Sequence, residues 1–123
     1  MALSQLKEIQ TTLIREIDPP KILLEILAPR EKVVAVFATA RDYVAFTTTR
    51  IIVADVQGIT GSKKELYSIP ISKVEMWSTE SKGFGGITAE IEIWTRFINL
   101  KINVVDNNVV RKLDRYMATT LVQ

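Results

Sequence analysis

The chain has no cysteine and no histidine among its 123 residues. Without cysteine there can be no disulfide, thiolate metal site or thiol nucleophile. Without histidine the commonest general base and the commonest metal ligand are missing as well. An enzyme is therefore not expected, and no catalytic residue, cofactor site or metal site is assigned. Glycine and proline are scarce, at five and four residues, which argues against a low-complexity or collagen-like chain. An excess of one charge is lacking too: 16 Lys and Arg nearly balance 14 Asp and Glu, for a net charge of +2. Because the two signs are interspersed, there is no basic stripe with interleaved aromatics, and no nucleic-acid partner is expected. No stretch approaches the ~18 uncharged apolar residues of a membrane span, and "MALSQLKEIQ" has no basic region followed by an apolar run. A cytoplasmic location is the expectation.

What is present suits one folded domain: hydrophobic residues make up 47% and charged residues 24%, the balance of an ordinary globular chain of this length. Leu3, Leu6, Ile9, Leu13 and Ile17 recur at threes and fours, with Ser4 as a cap, and predict an amphipathic helix that ends at Asp18-Pro19-Pro20. A short helical turn is expected over Ile22 to Leu27. Its apolar residues can pack on the domain, lie on a membrane or face another subunit.

After Pro29 the pattern becomes extended. "KVVAVFATA" and "DYVAFTTTRIIVADV" are rich in Val, Ile, Phe and Thr, and predict strands near 32–39, 42–46 and 50–56. "KELYSIP" and "SKVEMWSTE" predict two more. In "ITAEIEIW" and "FINLKINV" apolar and polar residues alternate strictly. Folding the pair about Thr95-Arg96 sets Ile93 against Ile98, Ile91 against Leu100 and Glu90 against Lys101. In "DNNVVRKLDRYMATTLVQ" Asp106 or Asn107 can cap a closing helix, with Val109, Leu113, Tyr116 or Met117, and Leu121 as its apolar stripe. The fold class is thus mainly β (α+β): a seven-stranded antiparallel sandwich or partly open barrel capped by a C-terminal helix. Residues 1–28 form an N-terminal helical extension and residues 29–123 the domain.

"ADVQGITGSKKELYSIP" resembles a phosphate cradle, but strands flank it on both sides and no helix follows. Gly58 and Gly61 are expected to be turn residues. Lys63 and Lys64 behind them point to opposite faces of a strand and can touch an acidic partner. Glu80, Glu90 and Glu92 are carboxylates on strand faces with no catalytic partner. Trp77 and Trp94 fall on the nominally polar face of their strands, beneath a helix or at a subunit contact. Arg50 and Asp55 can pair to pin their strand or line a polar surface. With Tyr67 and Lys101, these make up the candidate interaction surface.

The run "DYVAFTTTRIIVADVQGITGSKKELYSIPISKVEMWSTESKGF" followed by "AEIEIW" resembles the bacterial pleckstrin-homology domain family over residues 30 to 118, with Arg50-Ile51-Ile52, Asp55, Gln57-Gly58, Thr60-Gly61 and Tyr67-Ser68-Ile69-Pro70 in matching spacing. The segment Phe84-Gly85-Gly86-Ile87-Thr88 lacks the acidic residues usual there, and the first 28 residues carry no such signature. The resemblance implies a pleckstrin-homology fold and a non-enzymatic module. It also implies self-association into a cyclic homo-oligomer, a pentamer being expected, with a polar surface for an unidentified protein partner at the subunit junctions. Binding to membrane or anionic lipid is the alternative it offers. Lys32 and Arg41 are the cations of the first-hairpin region, and Asp42 offsets the second of them.

Overall fold

The computed structural model describes residues 7–57, 63–81 and 88–121. The chain divides into two units, Leu13–Ile71 and the combination of Met1–Thr12 with Ser72–Gln123.

In the first unit five strands pair in the order of the chain: β2 (Arg15–Glu16), β3 (Val33–Ala38), β4 (Asp42–Thr47), β5 (Arg50–Gln57) and β6 (Lys63–Pro70). Every neighbouring pair is antiparallel. The short helix α1 (Lys21–Glu25) lies between β2 and β3 and starts at Pro20, whose carbonyl accepts the Leu23 and Leu24 amides. Proline suits that start because its fixed φ leads into a helix and its missing amide needs no partner. Leu23 enters a core with Val36, Tyr43, Ala45, Ile52 and Ala54. The residues from Tyr43 to Thr47 are buried without alternation, so both faces of β4 are covered, and its sequence is accordingly a continuous run of Val, Ala, Phe and Tyr. Phe37 and Phe46 meet edge to face at 6.1 Å.

The second unit is built on a four-stranded sheet in the order β1 (Lys7–Leu13), β9 (Ile98–Val104), β8 (Ala89–Thr95), β7 (Val74–Glu80), followed in sequence by helix α2 (Asn107–Leu121). Asp106 caps α2: its carboxylate accepts the Asn108 amide at 2.8 Å and its carbonyl the Val109 amide. Val110, Leu113, Tyr116 and Met117 are the buried face of the helix. Val110 thus takes the place expected for Val109.

Scarcity of glycine is answered by threonine. Thr39, Thr47 and Thr95 stand at the turns β3–β4, β4–β5 and β8–β9, and each hydroxyl accepts the amides two and three residues further on. Such side-chain bonds hold a tight turn by satisfying its amides locally. The turn expected at Gly58 and Gly61, and the stretch from Phe84 to Ile87, lie outside the described residues.

The strands expected from 32 to 104 and the closing helix are all present, and among the described residues the strands pair as two hydrogen-bonded sheets, one of four strands and one of five. Two expectations need correction. The helical extension is not seen: residues 7–13 and 15–16 are strands. The deciding feature is that Ile9, Leu13 and Ile17 are spaced by four, which fits one face of a helix and equally one face of a strand. The β-branched Ile9, Thr11 and Thr12 favour the extended choice. The β8–β9 hairpin also pairs two residues further along than expected, with Ile93 opposite Leu100, Ile91 opposite Ile102 and Glu92 opposite Lys101. Its turn is Arg96-Phe97, because Thr95 captures the Phe97 and Ile98 amides.

Candidate functional site

Eleven residues were expected to form an interaction surface, and five of them share one face of one sheet. Direct cross-strand partners project to the same side, so three rows can be followed across β7, β8 and β9. They run Met76–Trp94–Asn99, Ser78–Glu92–Lys101 and Glu80–Glu90–Asn103. The opposite side carries Ile91, Ile93, Leu100 and Ile102, none with measurable exposure. Trp77 lies opposite Ile93, and its indole N–H donates to Asp114 of α2 at 2.7 Å. That bond places α2 over the buried side and the three rows on the side away from it. Trp77 is thus not on the polar face with Trp94. A register shift between Val74 and Met76 moves it to the helix side.

On the outward face the charges are unevenly matched. Glu92 faces Lys101 and accepts a hydrogen bond from the Asn99 amide nitrogen at 2.8 Å. Glu80 and Glu90 face each other directly, a like-charge pair that a sheet tolerates at a cost. Asn99 Oδ1 is buried without a hydrogen-bond partner among the described residues. Met76, 53% exposed, stands beside the half-buried Trp94 at the end of the face.

The other expected residues lie elsewhere. Arg50 and Asp55 do not pair with each other. The Arg50 guanidinium grips the Glu31 carboxylate, which is almost inaccessible, and also donates to Ser68 and to the Ile26 carbonyl. Thr47, Thr49 and the Ala28 amide complete the shell around Glu31. Arg50 above all, with these smaller donors, holds the Glu31 carboxyl at about 2 against the opposing effect of burial. Asp55 accepts from Arg41 at 2.9 Å, and Lys64 pairs with Asp42 at 2.7 Å. Asp42 and Asp55 are cross-strand neighbours, so each cation offsets one of two adjoining carboxylates. The bond to Asp42 raises the Lys64 pKa. Tyr67 donates to Glu65 at 2.7 Å, and Lys63 is exposed opposite Gln57.

Sequence reasoning did not find Glu31, Met76, Asn99 or Asp114. Met76 could have been placed from the two-residue period that joins it to Ser78 and Glu80. Glu31 sits in "PREK", which reads as an ordinary exposed turn. Among the described residues there is no cluster of three potential metal ligands, and no helix is long and apolar enough to cross a membrane.

The Bacterial PH domain model matches residues 3–121. The chain belongs to that family. The match takes in residues 3–28, which carry none of the motif residues. A DUF1696-family protein with a pleckstrin-homology domain, from Shewanella loihica PV-4, superposes with a TM-score of 0.76 at 24% identity, covering 87% of this chain and 97% of that one. The pleckstrin homology domain from Shewanella amazonensis SB2B gives 0.64 at 26% identity, with 83% and 94% covered. A PH-domain-containing protein from Exiguobacterium sibiricum 255-15 gives 0.56 at 20%, with 87% and 58% covered. In sequence, the uncharacterized protein YjqA of Bacillus subtilis strain 168 is 43% identical over 72 residues, which is 58% of each chain. The matched segment therefore spans little more than half of that relative's length.

Proposed function

We propose that this bacterial PH domain is a non-enzymatic, cytoplasmic assembly and binding module. Copies join head to tail into a closed ring, a pentamer, and present the outward face of β7, β8 and β9 to a protein partner. The observation that carries the reading is the composition of that face. Met76 and Trp94 adjoin a row in which Glu80 opposes Glu90, an arrangement that weakens the free sheet and suits a surface kept for recognition.

Self-association is supported by α1. Leu23 is core, yet its neighbours Ile22 and Leu24 are 47% and 53% exposed. Consecutive large apolar side chains in one exposed segment are what a subunit contact covers. A heterologous contact repeated around a ring would cover them in every copy.

The same segment would also serve docking onto anionic lipid, the competing reading, and one experiment separates the two. Ile22→Ser combined with Leu24→Ser leaves Leu23 in place and should reduce the assembly to monomers by light scattering, with neither form sedimenting with anionic vesicles at about 0.3 M salt. An unchanged mass together with vesicle binding by the native chain would replace assembly with lipid docking.

A further inference from the structure

We infer that the outward face of β7, β8 and β9 receives an extended, cationic segment of another protein, a stretch bearing Lys or Arg at alternate positions. The inference rests on the proposed role of that face in protein binding and names the chemistry of the partner.

Two observations point to a cation. First, Glu80, Glu90 and Glu92 lie on the face in two adjoining rows, with Lys101 as the cation opposite Glu92. This local excess of negative charge stands out because the chain as a whole carries +2. An approaching ammonium or guanidinium group between Glu80 and Glu90 would turn a repulsive pair into an attractive one. Second, the next row offers Met76 and Trp94, an apolar bed for the stem of Lys or Arg and an aromatic ring for its charge.

A strand-like ligand fits because alternate side chains of an extended segment all reach one surface. A second copy of this chain is the weaker occupant. Of its exposed cations, Arg111, Lys112 and Arg115 lie on α2, across the sheet from this face. Repeating such a contact would stack copies in line instead of closing a ring.

The two tryptophans provide the readout. Isotope-labelled full chain is titrated with three peptides of equal length, alternating Lys with Thr, Glu with Thr and Ser with Thr, and followed by amide and indole NMR signals. The Lys–Thr peptide is expected to move the Trp94 indole and the Met76 and Glu90 amides. It should leave the Trp77 indole, bound to Asp114, in place. Glu80→Gln with Glu90→Gln is expected to weaken that binding roughly tenfold while the melting curve stays cooperative.

Equal binding of the Ser–Thr or Glu–Thr peptide at Trp94 would overturn the cationic partner and leave the face a protein-binding surface. Failure of all three to move Trp94 would overturn both. A drop in assembly mass in the Glu80→Gln, Glu90→Gln variant would assign the face to a second copy, and the proposal would fall.

Discussion

Glu31 and Arg50, 19 positions apart, are joined by two parallel hydrogen bonds, Nε to Oε2 at 2.8 Å and Nη2 to Oε1 at 3.0 Å. The pair closes the segment before β3 onto the start of β5. Since the Glu31 side chain is 1% exposed and that of Arg50 24%, the carboxylate depends on protein donors instead of water.

Arg50→Ala should therefore cost about 3–5 kcal/mol, because it leaves a buried carboxylate unpaired. Glu31→Gln combined with Arg50→Met should recover part of that loss. Denaturant titration of the three proteins checks it. A single variant as stable as the native chain would show the pair to be dispensable.

The same carboxylate sets a pH dependence. Its folded pKa of about 2 lies below the ordinary 4.5, so its contribution is complete above about 4.5 and is lost as pH falls toward about 2. The native chain should lose stability to urea across that window, with a smaller slope in Glu31→Gln. Equal slopes would mean that Glu31 is not the group responsible.

Tyr43 is buried at 1% exposure, and its hydroxyl has no partner among the described residues. Tyr43→Phe is expected to be neutral or to stabilise by about 1 kcal/mol, because an unmet hydroxyl leaves the core. Burial raises the Tyr43 pKa, so its ionisation, followed by ultraviolet absorbance, should coincide with alkaline unfolding. A loss of about 2 kcal/mol in the variant would reveal a hydrogen bond.

Thr95 fixes the β8–β9 register by accepting the Phe97 and Ile98 amides at 3.2 and 2.8 Å. Thr95→Val should destabilise by about 1–2 kcal/mol, and Thr95→Ser should restore most of it. Thermal melts of both variants give the comparison. Equal stability of the two would remove the hydroxyl from the account of the turn.

Much of the β architecture was legible because alternation of residues such as Ile91, Glu92 and Ile93 records burial directly. The two-residue error in the hairpin register could not show in that pattern, since a shift of two returns every side chain to its own face. The N-terminal error came from the same arithmetic: a spacing of four satisfies both periods. On the candidate surface, Glu80, Glu90, Glu92, Trp94 and Lys101 were legible as face residues. Trp77 was not, because a register shift that local sequence does not announce moved it to the other side. Glu31 stayed hidden because its burial depends on Arg50, Thr47 and Thr49, none of them near it in the chain.

The assembly claim is tested most directly by the mass of the native protein in solution. Light scattering at micromolar concentration and moderate salt should give about five times the 13.9 kDa chain mass, independent of dilution over that range. A mass of one chain would contradict the ring.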